Sequence, residues 1–254
     1  MQAIFVTGAA SGIGRATATL FAKAGWRVGL ADRNEAGLAE VAASLGGPHS
    51  THVMDVRDVG AWESELASFM IAGGRLDVLF NNAGIAAGGP FGAIDIDALD
   101  RVIDINFRGL VYGARVAYPH LKATPGSCLL NTSSASGIYG SAGLATYSAT
   151  KFAVRGLTEA LDGEWAADGI KVRAIMPSFI DTPLLDAMVG KGTARERVRA
   201  QGLEFTPVET VAQAAWDAVH GDRVLTPVGR TARRMMFAAR WMPGKLRRQM
   251  RGGR

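Results

Sequence analysis

Short apolar runs alternate with longer segments in which apolar residues recur every three or four positions, and the alternation holds along most of the chain. The runs "AIFVTG", "RVGLAD", "THVMDV", "LDVLFNNAG", "SCLLNTSS" and "KVRAIMPS", with a short last one near "RVLTPV", read as strands. Helices are expected between them, over residues 14–24, 35–45, 61–71, 97–121, 147–167 and 208–219. A strand that must be followed by a helix before the next strand cannot make a tight hairpin, so the sheet is expected to be parallel. Right-handed crossovers then wind it doubly, with helices on both faces and ligands beyond the carboxyl ends of the strands.

Nothing in the composition divides this α/β chain. Hydrophobic residues make up 48% and charged residues 20% of 254, with no low-complexity tract between halves, so one domain is expected. The N-terminus has no basic leader and no apolar stretch reaches the ~18 residues of a membrane span, which argues against export and for the cytoplasm. The single cysteine, Cys128, lies within a strand run and suits a reducing compartment as a buried thiol. Charge is unevenly placed. Ten of the 28 Lys/Arg fall between Arg223 and Arg254, a stretch without Asp or Glu, and the remaining 18 face 23 acidic residues, a net of −5.

The first strand runs straight into "TGAASGIG", with Gly8, Gly12 and Gly14 spaced G-x-x-x-G-x-G ahead of the first helix. Glycines there let the backbone turn sharply and approach a pyrophosphate, and the helix start offers free N–H groups. Asp32 closes the second strand eighteen residues after Gly14. A carboxylate in that place accepts hydrogen bonds from a ribose diol and repels a 2′-phosphate, which selects NAD over NADP. Arg33 pulls the other way, since a guanidinium partly neutralises a phosphate.

Two Tyr-x-x-x-Lys pairs occur, Tyr118/Lys122 and Tyr147/Lys151, and each puts phenol and ammonium on one helical face. Only the second has a serine thirteen residues upstream, Ser134; the first has Ile105 there. With these motifs in this order, the chain over residues 1–230 resembles the short-chain dehydrogenases/reductases of about 250 residues. The resemblance implies a single-domain Rossmann-type fold whose seven-stranded parallel sheet has the order 3-2-1-4-5-6-7, leaving residues 231–254 as a basic amphipathic extension. It implies that Asn106, Ser134, Tyr147 and Lys151 are catalytic. It also implies a coenzyme site built from Gly8, Ser11, Gly12, Ile13 and Gly14, then Asp32 and Arg33, then Asp55 and Val56 at the adenine. Asn82, Ala83 and Gly84 of "NNAG" would follow, with Tyr147 and Lys151 at the nicotinamide ribose, and Pro177, Ile180 and Thr182 near the carboxamide. Where the family usually has Pro-Gly after the sixth strand, this chain has Pro177-Ser178.

The implied chemistry is physically coherent. A phenol titrates near ~10, so acid/base work near neutrality needs a shift of about three units, worth about 4 kcal/mol. Lys151 and an oxidised nicotinamide are expected to supply it, Ser134 to polarise the substrate oxygen, and Asn106 to hold a water that links Lys151 to solvent. Ser134, Tyr139, Tyr147, Phe179, Leu184 and Met188 are expected to meet the substrate. The apolar residues among them favour a small-to-medium hydrophobic secondary alcohol or ketone. Two rivals stand: an NADP(H)-dependent 3-oxoacyl-carrier-protein reductase, against which Asp32 argues, and a binding protein with the fold but without turnover, against which the complete catalytic set argues.

The four histidines are scattered and no cluster has metal-ligand spacing, so no metal is expected. By resemblance the chain forms a homodimer or homotetramer through the helices at 97–121 and 147–167. In the basic tail Met235, Ala239, Met242, Leu246 and Met250 step by three and four, interrupted at Pro243. That pattern suits a lid or subunit contact, or peripheral contact with an anionic membrane; no motif for nucleic acid accompanies the charge.

Overall fold

The computed structural model describes residues 1–186, 188–189, 192–200, 202–203 and 205–251. Seven strands form one sheet: β1 (Ala3–Thr7), β2 (Arg27–Asp32), β3 (His49–Val53), β4 (Val78–Asn81), β5 (Cys128–Thr132), β6 (Lys171–Pro177) and β7 (Leu225–Val228). Their order is 3-2-1-4-5-6-7, as the family resemblance implied, and every pairing is parallel, as the strand-helix alternation implied. Period-two alternation splits each central strand between two cores. Ile4, Val6, Val78, Phe80 and Leu130 face the side covered by α1 (Gly12–Lys23), α2 (Glu35–Ser44) and a helix at Val208–His220. Phe5, Leu79 and Leu129 face the side covered by α3 (Val59–Ile71) and the two long helices at Gly109–Lys122 and Ala145–Trp165. Cys128 is fully buried and its thiol is pushed up to about 12 by that burial, so it packs and does not react.

Two expectations are corrected. The third strand ends at Val53, where it pairs with Asp32, because Asp55 turns the chain by accepting from the Arg57 backbone N–H at 2.9 Å. The helix expected over residues 97–121 is three pieces: α4 (Ile96–Ile103), a π-helical turn (Asp104–Arg108) and α5 (Gly109–Lys122). The wide turn carries Asn106, and such bulges cluster at functional sites. Beyond α6 (Ala145–Trp165), α7 (Ala194–Ala200) and α8 (Val208–His220), the tail is interrupted at Pro243 as expected. It forms α9 (Arg230–Trp241) and α10 (Pro243–Arg251), with Pro243 at the first helical position, where its missing N–H costs nothing.

The rival Tyr118/Lys122 pair has a structural explanation. Tyr118 Oη donates to Asp168 at 2.7 Å and Lys122 Nζ lies 2.8 Å from the same carboxylate, which ties the end of α5 to the turn after α6.

Candidate active site

A cavity of about 730 Å³ opens beyond the carboxyl ends of β1, β2, β4, β5 and β6. Its floor begins at the glycine turn. Gly12 adopts φ +52°, a left-handed conformation that glycine enters without penalty. At Gly14 any Cβ would lie 2.1 Å from the Gly8 carbonyl oxygen, so only a bare backbone lets α1 start this close to the turn. Ser11 precedes α1 without capping it through its side chain, and the first turn holds no acidic residue. That leaves a helix N-terminus suited to an anion. Gly14→Ala is therefore expected to lower stability by about 1–3 kcal/mol. Coenzyme affinity should fall with it, and a urea titration beside a coenzyme titration checks both; unchanged values in each would contradict the close approach.

Asp32 serves the turn as well as facing the cavity. Its Oδ2 accepts from the Ala10 N–H at 3.1 Å and its Oδ1 from the Asn34 N–H at 3.0 Å, which fixes the carboxylate at the end of β2. Arg33 and Val56 also line the cavity, as does Asp55, whose carboxyl is held below the usual range chiefly by its hydrogen bonds to the Arg57 guanidinium. Asn82 ties three strands together. Its Nδ2 donates to Thr7 O at 3.0 Å, its Oδ1 accepts from Thr132 Oγ1 at 3.1 Å, and its N–H donates to Thr7 Oγ1. Ala83 and Gly84 follow along the cavity wall.

The catalytic candidates meet at the opposite wall. Ser134 follows β5 in extended backbone, and its Oγ accepts from the Ser136 N–H at 3.1 Å. Its hydroxyl also donates to Pro177 O at 3.5 Å, and α6 projects Tyr147 into the same space. One turn along α6, Lys151 is 3% exposed, donates to Thr132 O at 2.9 Å and sits 5.6 Å from the centre of the Tyr147 ring. Asn106 is buried below: its Oδ1 accepts from the Ile85 N–H at 2.8 Å and its Nδ2 donates to Ile85 O at 2.9 Å. A Cβ at Gly84 would meet Asn106 Oδ1 at 3.3 Å and Lys151 Nζ at 3.6 Å, so these groups converge on one point.

The electrostatics depart from expectation. The sequence implies that Lys151 lowers the Tyr147 pKa. Burial instead pushes the phenol up, opposed by the Ser134 hydrogen bond, while burial brings Lys151 down to about 8. Desolvation wins because both groups lie in a dry corner, where forming phenolate and ammonium alike is costly.

The remaining expectations divide. Pro177, Phe179, Ile180, Thr182 and Leu184 line the cavity, and Thr182 stands 3.1 Å from where a Gly12 Cβ would be. Ser178 fits without disturbing the path, its N–H donating to Val228 O at 3.3 Å and its Oγ tucked beside Gly229. Tyr139 is a correction. It lines a separate recess with Ala142, Ala149, Met250 and Arg251, because the tight turn Ala135–Gly137 buries Ile138 beneath α9 and carries Tyr139 past the cavity. Met188 lies in a short strand, Met188–Val189, and its side chain is outside the described residues.

Sequence reasoning missed Ile105 and Leu144 on the cavity wall. Leu144 stands three residues before Tyr147, so its nearness was readable; Ile105 needed the fold. Arg195 was missed too: it contacts Asp181, lies 2.7 Å from Asp186 and donates to Thr182 O at 3.1 Å, clamping the segment that borders the cavity. Among the described residues no group of three His, Cys, Asp or Glu is arranged to hold a metal. No described helix is long and apolar enough to cross a membrane.

A family profile described as short chain dehydrogenase matches residues 2–191. A meso-2,3-butanediol dehydrogenase of Serratia marcescens is 37% identical over 183 residues, 71% of this chain and 72% of that protein. A 3-oxoacyl-[acyl-carrier-protein] reductase of Thermotoga maritima is 34% identical over 211 residues, 82% of this chain and 86% of that one. Among solved structures, a 3-ketoacyl-(acyl-carrier-protein) reductase from Brucella melitensis complexed with NADH superimposes with a TM-score of 0.81 at 29% identity. That match covers 91% of this chain and 98% of that one.

Proposed function

This chain belongs to the short-chain dehydrogenase family, and from that premise we propose that it is an NAD(H)-dependent oxidoreductase of hydrophobic secondary alcohols and ketones, with Tyr147 as acid/base. The observation that carries the reading is that Ser134, Tyr147 and Lys151 line the same cavity as the glycine turn and Asp32. The cradle fits a dinucleotide: Gly8, Gly12 and Gly14 keep side chains out of the turn, Ser11 leaves the helix start open, and Asp32 stands ready as a ribose acceptor. NAD(H), when bound, supplies or accepts the hydride.

The residues of the chain divide the rest of the work. Tyr147 Oη takes the proton of the alcohol or returns one to the ketone oxygen, and Ser134 Oγ hydrogen-bonds that same oxygen. Lys151 holds ribose hydroxyls and, as an ammonium, favours the phenolate. Asn106, fixed by Ile85 on both sides of its amide, keeps Lys151 within reach of solvent through a water. Phe179, Leu184 and Ile85 dry the mouth and favour an apolar substrate. Assembly as a homodimer or homotetramer through the helical segments at 97–121 and 147–167 belongs to the same reading, supported by the exposed Ile103 at the end of α4 and Phe152 of α6; light scattering after gel filtration tests it.

The experiment is a panel of secondary alcohols, ketones and an acetoacetyl thioester assayed with NAD(H) and with NADP(H), wild type beside Asp32→Ser. Preference for NAD should weaken by about tenfold or more in the variant, since the repulsion of a 2′-phosphate is removed. Wild-type preference for NADP would sink the coenzyme assignment. Thioester preference would move the substrate to the acyl-carrier class, which the similarity to the Thermotoga and Brucella proteins keeps as the second reading.

A further inference from the structure

The redox chemistry leaves the arginine-rich tail unused. Most of its expected apolar stripe is consumed inside the protein. Met235, Met236 and Ala239 pack with Ala135 and Ile138 of the turn after β5 and with Met176 of β6, while Leu246 is 2% exposed. What α9 turns outward is a different face. Phe237 and Trp241, four residues apart and so on one side of the helix, are 59% and 65% exposed, with Met242 beside them. Of the five tryptophans, all among the described residues, Trp241 is the one left exposed. Arg233 and Arg234 stand one turn before Phe237, and the Arg240 guanidinium lies 5.3 Å from the Trp241 ring centre. Lys245, Arg247 and Arg248 continue the exposed charge along α10. Among the described residues none of these six cations is in an ion pair, and the sequence holds no Asp or Glu from Arg223 onward.

We propose that this face of α9 and α10 docks on the surface of an anionic phospholipid bilayer. Indole and phenyl rings settle at headgroup depth, and cations with no carboxylate of their own meet phosphate and serine headgroups. A second copy of the chain suits the face poorly, because a two-fold contact sets each arginine cluster against its own image. The proposal is independent of the oxidoreductase reading, and it requires contact, not insertion across the bilayer.

The test is co-sedimentation of the full chain with phosphatidylcholine vesicles, with and without phosphatidylserine, at low and raised salt. Wild type should pellet with the phosphatidylserine vesicles alone, release with salt, and shift its Trp241 emission to the blue. Phe237→Ser/Trp241→Ser should weaken partition by about tenfold or more. Arg233→Glu/Arg234→Glu should weaken it by about thirtyfold or more. All four positions are exposed and outside the cavity, so melting midpoint and coenzyme binding report that both variants are folded. Absence of pelleting at low salt, equal pelleting on neutral vesicles, or variants that partition like wild type would each overturn the proposal. So would an oligomer that the variants dissociate, which would make the face a contact between copies. A Trp241 shift with polyglutamate but not with vesicles would overturn it in favour of an acidic protein partner.

Discussion

Tyr147→Phe is expected to lower kcat/KM in both directions by about a thousandfold or more, the scale of a lost general acid/base, while coenzyme affinity and melting midpoint stay close to wild type. Tyr147 is 9% exposed and its ring remains in place; only the phenol oxygen is lost. The pH dependence follows from the role. Oxidation needs the phenolate, so its rate should rise with pH until the group is ionised; reduction needs the phenol, so its rate should fall over the same range. Burial pushes this phenol up, so the positive charge that makes it useful near neutrality must come from an ammonium at Lys151 and from the oxidised coenzyme. The coenzyme-free protein should therefore titrate Tyr147 above its ordinary range, read by ultraviolet difference absorbance. A variant retaining turnover within tenfold of wild type would end the acid/base assignment.

Lys151→Met should inactivate the protein and stabilise it at once. Turnover is expected to fall by about a hundredfold or more, since the phenolate loses its permanent partner. Stability runs the other way. In the unfolded chain this amine holds its proton to about 10.4, whereas in the folded protein burial brings it to about 8. Below pH 8 folding thus carries the full penalty, roughly 3 kcal/mol, of burying the charge or giving up the proton. Between those two values the unfolded chain binds more protons than the folded one, so wild-type stability rises with pH through that window. Methionine removes the penalty but leaves Thr132 O without its donor, a loss of about 1–3 kcal/mol. The net at pH 7 should be a gain of about 1 kcal/mol. The sharper readout is the wild-type minus variant difference in urea unfolding, which should climb as pH goes from 8 to 10.5. A flat difference would mean that Lys151 is not desolvated.

The two tyrosine-lysine pairs show how far spacing could be read. Tyr118/Lys122 and Tyr147/Lys151 share one local geometry, and a serine thirteen residues upstream distinguishes the second from the first. The structure adds the cause: one pair is spent on Asp168 at a helix end, and the other is held beside Ser134 in a cavity. Asn106 was found by its motif, but the π-helical turn that aims it was not, because a widened turn leaves no mark on a three- and four-residue apolar rhythm.

The chain's strands, their order by family resemblance, the glycine turn and the Asn106, Ser134, Tyr147, Lys151 set were legible because each rests on local periodicity or on fixed spacing along one backbone. Three matters were settled only by residues distant in sequence. Ile138 packs beneath α9 and so carries Tyr139 to a separate recess; Leu246 is buried and Met235 packs partly buried beside Ile138, which leaves Phe237 and Trp241 outside; and burial pushes the Tyr147 phenol up. Sidedness and solvation belong to the packed surface, which a one-dimensional pattern does not contain.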